Sequence, residues 1–230
     1  MASIDDLILE KRRYNLNNKI SQKEKRLLKK NMPVQKIIGY IEMANVKIDI
    51  CHKVLIPRYE TEELIFLVKD FLKDDMKVLD LCAGSGFIGI ALSKMKKIDL
   101  TLSDISLEAI KQIEKNVKIN NVKNYKIIQS DLFENIQGDF DIIVSNPPYL
   151  SYEQKIDKSV KFFEPLKALY APKNGWYFYE KIIEKASSFL KKDGMLFFEI
   201  NPLHKELFLE KNFKVIKDIN GKNRFAFKKF

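Results

Sequence analysis

Two cysteines and two histidines in 230 residues leave little from which to build a metal centre. Cys51 and Cys82 match no zinc-ligand spacing, and Cys82 follows an apolar strand, where a free thiol serves as a small packing group. No metal is expected. No run approaches the ~18 apolar residues that span a bilayer, and the opening Met1-Ala2-Ser3-Ile4-Asp5-Asp6 lacks the basic and apolar regions of a secretory signal, so a cytoplasmic chain without membrane attachment is expected. Arginine is scarce as well. It stands only at positions 12, 13, 26, 58 and 224, leaving 36 of the 41 basic residues as lysine. The net charge of +10 therefore comes from the less discriminating phosphate partner, and the lysines are scattered rather than gathered in a block. Most read as solvated surface, and a nucleic-acid partner is not expected.

What is present is a 46% hydrophobic composition, enough for one substantial domain with a small appendage. Residues 1–32 read as short basic helices, with Ser21 and Glu24 spaced as a capping box. Residues 33–57 read as a β-hairpin linker, in which Val46, Ile48 and Ile50 alternate with Lys47 and Asp49. In Ile56-Pro57-Arg58-Tyr59-Glu60-Thr61-Glu62, Thr61 is placed to cap the helix that follows; Arg58 and the carboxylates are either capping chemistry or part of a pocket lid.

From residue 58 to 230 strands and helices alternate. Strands are expected at 77–81, 99–103, 125–129, 141–145 and 194–200, helices at 88–95, 107–119, 177–190 and 203–210, and a closing hairpin around Gly221. This order means an α/β fold with a doubly wound parallel sheet and a C-terminal antiparallel hairpin. In such sheets ligands bind beyond the carboxyl ends of the strands.

The first of those ends carries Gly84-Ser85-Gly86-Phe87-Ile88-Gly89, a Gly-x-Gly-x-x-Gly turn between strand and helix, with Asp104 twenty residues on. The glycines let backbone approach a ligand, and an acid at the second strand end accepts ribose hydroxyls. Asp80, just before the loop, suits a cationic end group better than a pyrophosphate, which points to S-adenosyl-L-methionine. Asp131 and Leu132, at the third strand end, suit the adenine amino group and ring. The candidate cofactor residues are thus Asp80, Cys82, Ala83, Gly84, Ser85, Gly86, Asp104, Asp131, Leu132 and Asn146.

The strand Ile142-Ile143-Val144 ends in Asn146-Pro147-Pro148-Tyr149. Two prolines donate no backbone hydrogen bond, so the sheet stops at a rigid polar corner. Alone, this reads equally as an ordinary turn. With a methyl donor nearby it gains a role: the Asn146 side-chain oxygen and the Pro147 carbonyl accept both N–H bonds of a planar amide or aryl amine, aim its nitrogen at the methyl group and stabilise the charge that develops, while Tyr149 stacks on the plane. Asn146, Pro147 and Tyr149 are the catalytic candidates; Asn146, Pro147, Pro148, Tyr149, Arg58 and Glu60 are those for the acceptor.

Pro33-Val34-Gln35-x-Ile37-x-Gly39, Leu55-Ile56-Pro57-Arg58-x-Glu60-Thr61-Glu62, Asp80-Leu81-x-x-Gly84-Ser85-Gly86, Ser145-Asn146-Pro147-Pro148-Tyr149 and Glu164-Pro165-x-x-Ala168-Leu169 together resemble the release-factor glutamine methyltransferases (the HemK/PrmC family). The resemblance runs from about Pro33 to the end of the chain. It implies a Rossmann-like class I S-adenosylmethionine-dependent methyltransferase fold, methylation of the side-chain amide (N5) of the Gln in the Gly-Gly-Gln motif of class I peptide chain release factors, and an N-terminal helical part that grips the factor. A monomer is expected. Three departures stand out: Tyr59 where the family usually has Pro, Asn201 where Gly is usual, and a short N-terminal helical segment. The alternative acceptor is adenine N6 on DNA or RNA, which uses the same Asn-Pro-Pro-Tyr geometry, but the chain carries no target-recognition domain or basic aromatic insertion to hold a flipped base. A cofactor-binding module without activity is opposed by the intact Asn146 to Tyr149 and Asp104. A nicotinamide oxidoreductase is opposed by the lack of a placed proton donor.

Overall fold

The computed structural model describes residues 2–230. Helices α1 (Ile4–Arg13) and α2 (Gln22–Lys29) are each opened by a capping box, Ser3 with Asp6 and Ser21 with Glu24. After α3 (Val34–Ile38), which ends on Gly39 at φ +94°, strands β1 (Tyr40–Met43) and β2 (Val46–Asp49) pair as an antiparallel hairpin. Then come α4 (Tyr59–Lys69), β3 (Lys77–Leu81), α5 (Phe87–Met95), β4 (Asp99–Asp104), α6 (Leu107–Ile119), β5 (Tyr125–Gln129), β6 (Phe140–Ser145), α7 (Lys158–Phe163), α8 (Tyr177–Ala186), β7 (Leu190–Glu199), α9 (Lys205–Glu210), β8 (Lys214–Lys217) and β9 (Asn223–Lys229).

The main sheet has the order β5-β4-β3-β6-β7-β9-β8. Its first five strands are parallel, and β9 joins β7 and β8 antiparallel. Successive strands run outward from β3 through β4 to β5, then resume on its other side with β6 and β7. The direction reverses between β3 and β6, which opens the crevice that α/β proteins use for ligands. The strands there are buried on both faces: Val78, Leu79, Ile142, Ile143 and Val144 are all at most 1% exposed. One face packs against α4, α5, α6 and the hairpin through Leu64, Ile90 and Ile113; the other packs against α8 and α9 through Tyr179, Ile182 and Phe208. Leu7, Leu28 and Val34 form a small separate cluster under the first helices.

Several boundaries differ from the expected ones: the 33–57 segment opens on α3 before its hairpin, and α9 begins at Lys205 behind a 3₁₀ turn, Pro202–His204. Helix α4 begins at Tyr59 with Arg58 as its N-cap, so Thr61 lies inside the helix and does not cap it. Strand β7 begins at Leu190, four residues before Gly194, because Leu190 pairs with Phe140 ahead of an irregularity in the β6 register. Helix α8 accordingly stops at Ala186. No helix among the described residues is long and apolar enough to cross a membrane.

Candidate functional site

A cavity of about 480 Å³ lies over the carboxyl ends of β3, β4 and β6. Its wall includes Cys82, Ala83, Gly84, Ser85, Asp104, Asp131, Leu132, Asn146 and Pro148. A second cavity of about 240 Å³ is lined by Arg58, Asn146, Pro147, Tyr149, Val160 and Glu199 among others. Asn146 is on the wall of both.

The loop after β3 is shaped by backbone that only some residues tolerate: Cys82, Gly84 and Gly86 have φ of +62°, +55° and +80°. A Cβ on Gly86 would stand 3.0 Å from Ile90 Cδ1 and 3.2 Å from Leu102 Cδ2, so this glycine lets α5 close on the sheet. The loop is tied down by Ala83 N–H donating to the Ser103 carbonyl (2.9 Å) and Gly84 N–H donating to Asp104 Oδ2 (2.9 Å). Asp104 Oδ1 takes the Ser106 N–H (2.9 Å). Burial raises the Asp104 carboxyl above its ordinary value, opposed by these two N–H bonds and by Lys167. Asp104 also lines the cavity. Burial, with Asp104 beside it, likewise pushes the Cys82 thiol well up, so it stays protonated and is a packing group.

Asp80 and Gly86 lie beneath this wall. Asp80 is fully buried, takes the Gly89 N–H on Oδ2 (2.8 Å), and leaves Oδ1 without a partner. Asp80, expected beside a cationic tail, is on neither cavity wall: α5 approaches closely at Gly89, whose Cβ would meet the Asp80 side chain at 3.1 Å, and the carboxyl lies under the loop.

The Asn-Pro-Pro-Tyr corner is held from several directions. Tyr149 and Leu150 N–H both donate to the Leu169 carbonyl, at 3.2 and 2.8 Å. Asn201 Nδ2 donates to the Tyr149 carbonyl at 3.2 Å, so this departure from the family pattern has a structural partner at the corner. Tyr149 donates its hydroxyl to Glu199 Oε1 (3.1 Å), and burial next to Glu199 pushes the phenol well above its ordinary value.

Arg58 sits at the second cavity and pairs with Glu164 at 2.7 Å; the other Glu164 oxygen takes the Ile56 N–H at 2.9 Å. The Ile-Pro-Arg and Glu-Pro segments, more than a hundred residues apart, are thereby clamped together. Glu60 is on neither cavity wall; it is half-buried at the start of α4. Tyr59 faces the opposite way, bonded to Arg13 and Glu10 of α1, with the Arg13 guanidinium 5.1 Å over its ring.

Sequence reasoning missed Thr61 and Glu199 as site residues, along with the wall residues Lys53, Lys167, Tyr177 and Phe178. Thr61 carried a signal, its place within Arg-x-Glu-Thr-Glu; a lone Glu at the end of an apolar strand, as Glu199 is, carried none until its partners were in view. Among the described residues no cluster of three or more His, Cys, Asp and Glu side chains is arranged to hold a metal ion.

The family model described as "Methyltransferase small domain" matches residues 45–168. A release factor glutamine methyltransferase of Lactococcus lactis is 36% identical over 228 residues, spanning 91% of this chain and 84% of that protein; that of Streptococcus pneumoniae is 36% identical over 206 residues, spanning 84% and 74%. Among solved structures, a methyltransferase from Pyrococcus furiosus superposes with a TM-score of 0.63 at 21% identity, covering 92% of this chain and 98% of that one. A Thermus thermophilus 16S rRNA N2 G1207 methyltransferase, in complex with AdoMet and guanosine, gives a TM-score of 0.61 at 20% identity over 83% of this chain and 49% of that one. These two likenesses show the shared methyltransferase fold. The similarity to the curated relatives extends over nearly the whole chain, and by it the chain belongs to the release factor glutamine methyltransferase family.

Proposed function

We propose that this chain methylates the side-chain amide nitrogen of the Gln in the Gly-Gly-Gln motif of class I peptide chain release factors, as a cytoplasmic monomer, with S-adenosylmethionine as donor. The observation that carries the reading is the position of Asn146 on the wall of both cavities, where one side chain can touch donor and acceptor. The larger cavity fits an adenosine-type donor in size and in chemistry. Asp104 is available for the ribose hydroxyls, Asp131 and Leu132 for adenine, and the Cys82 to Ser85 backbone for the remainder. When bound, this cofactor supplies an electrophilic methyl group, so neither a metal nor a covalent enzyme intermediate is required.

The acceptor nitrogen is weakly nucleophilic because its lone pair is delocalised into the carbonyl. Asn146 Oδ1 and the Pro147 carbonyl accept its two N–H bonds, which fixes the approach of the lone pair and stabilises positive charge as the new bond forms; the N-methylated amide then releases one of these protons to water. Tyr149 walls the same cavity and packs on the amide plane. Arg58, held by Glu164, is on the wall of this cavity. The curated relatives do not favour the adenine alternative.

Radiolabelled methyl transfer tests the reading, using purified unmethylated release factor, its Gln→Ala variant in Gly-Gly-Gln, and duplex DNA. Label on the unaltered factor alone is expected; label on DNA, or on the Gln→Ala factor, overturns it. Asn146→Ala should lower the rate by about a hundredfold or more with cofactor affinity within a few fold. Loss of both together would remove Asn146 from the acceptor side.

A further inference from the structure

An asparagine that must present its oxygen to an acceptor N–H has a symmetry problem: rotated by half a turn, it presents its NH₂ instead and repels the same group. The structure contains a device that settles the choice. Thr61, 4% exposed on α4, donates its hydroxyl to Glu199 Oε2 at 2.7 Å, and Tyr149 donates to Glu199 Oε1 at 3.1 Å. Asn146 Nδ2 lies 3.5 Å from Thr61 Oγ1. Glu199 is 1% exposed at the end of β7, and behind it Tyr179 donates to its backbone carbonyl at 2.9 Å.

We infer that Thr61 and Glu199 are positioning residues that set the rotamer of the Asn146 amide. An ionised carboxylate only accepts, so both hydroxyls facing it must donate to it. Once the Thr61 proton is committed to Glu199, the hydroxyl oxygen has only lone pairs left for Asn146. The amide must then turn its NH₂ toward Thr61 and its oxygen toward the acceptor cavity; the reversed rotamer would set two oxygens against each other with no proton between them. At 3.5 Å the Asn146 to Thr61 contact is weak, and its contribution is direction more than strength. The direction follows from the acceptor-only character of Glu199, independently of which atom of the Asn146 amide is labelled nitrogen. Burial, with the charge of Glu60, raises the Glu199 carboxyl, opposed by the bonds from Thr61 and Tyr149 and the charge of Arg224 on β9. The same carboxylate fixes the Tyr149 ring, so one buried group orients both side chains of the acceptor cavity.

This inference rests on the acceptor role given to Asn146, and its test has one arm that needs neither donor nor acceptor. In protein labelled with ¹⁵N-asparagine, the Asn146 side-chain resonance, assigned by its absence in Asn146→Asp, should shift and exchange faster with water in Thr61→Val. In the methyl-transfer assay Thr61→Val should lower kcat at least tenfold with cofactor Kd within threefold and Tm near that of the unaltered protein. Thr61→Ser, which restores the hydroxyl, should be at least fivefold faster than Thr61→Val. Glu199→Gln should lose at least as much as Thr61→Val despite its equal size, because one end of an amide donates and so conflicts with Thr61 or Tyr149. An unmoved resonance in Thr61→Val, or kcat within twofold in both Thr61→Val and Glu199→Gln, overturns the inference. So does a loss of rate that tracks a fall in Tm and is not relieved by Thr61→Ser. If the resonance moves but the unaltered protein never labels the release factor, the rotamer control stands and the proposed substrate fails.

Discussion

The least ordinary single residue is Asp80, a carboxyl with no exposure, one hydrogen bond and one orphaned oxygen. Burial pushes its pKa up to about 7, with the Gly89 N–H opposing and Asp104 reinforcing the shift. The sign of the consequence is fixed by linkage. Between the ordinary value of 3.8 and about 7 the folded protein keeps a proton that the unfolded chain has released, so this group's contribution to stability falls as pH rises through that window and is level above it. Asp80→Asn keeps the shape and an acceptor for Gly89 but titrates nothing. Measured by urea unfolding at pH 4.5, 5.5, 6.5 and 7.5, the variant should gain on the unaltered protein with rising pH, by up to about 3 kcal/mol over that range. A difference that does not vary with pH would mean that the carboxyl titrates in the folded state as it does in the unfolded chain.

At the scale of elements, the Asn-Pro-Pro-Tyr corner depends on neighbours that do not touch a ligand. Gly175 closes the 3₁₀ turn Lys173–Gly175 at φ +90°, and a Cβ there would stand 2.1 Å from the Tyr149 carbonyl oxygen, a position no relaxation of a side chain can relieve. Gly138, before β6, has φ +97° with nothing within 4 Å of its Cβ position. The two separate backbone strain from collision. Gly138→Ala should cost about 1 to 2 kcal/mol, the ordinary penalty for a side chain in left-handed backbone. Gly175→Ala should cost distinctly more and should also slow methyl transfer, since Tyr149 must move. Equal losses in urea unfolding would show that the corner yields freely. The alternation of strands and helices from β3 to β6 was legible because β3 and β6 carry apolar runs, β4 places Leu100 and Leu102 in the core, and turn residues bound each strand. The short α7 has no buried residue and so left no apolar stripe to read. The start of β7 was hidden because Leu190 joins the sheet through Phe140, a partner fifty residues away.

For the whole molecule the same division holds. Wall residues of the larger cavity that end or follow their strands in sequence, such as Gly84, Asp104 and Asp131, could be named from spacing, whereas Thr61 and Glu199 meet only because α4 and β7 pack together, a contact with no local pattern. Stability is also divided. Residues 1–32 have little core of their own: Leu7, Leu28 and Val34 form a cluster distinct from the two that enclose the sheet. Their ties to the strands and helices beyond α3 include Tyr59 with Arg13 and Glu10 and Tyr14 stacked on Tyr40 at 5.4 Å, polar or near the surface. Units with few buried apolar contacts open at lower free energy than the core they rest on. We therefore expect native-state hydrogen exchange to show α1 and α2 opening as a unit several kcal/mol below the amides of β3 and β6. Tyr59→Phe, which removes the hydroxyl that Arg13 and Glu10 share, should lower the protection of α1 further while leaving β3 and β6 unchanged. If α1 were as protected as β6, residues 1–32 would be a cooperative part of the methyltransferase domain, and changes that loosen them would unfold the site as well.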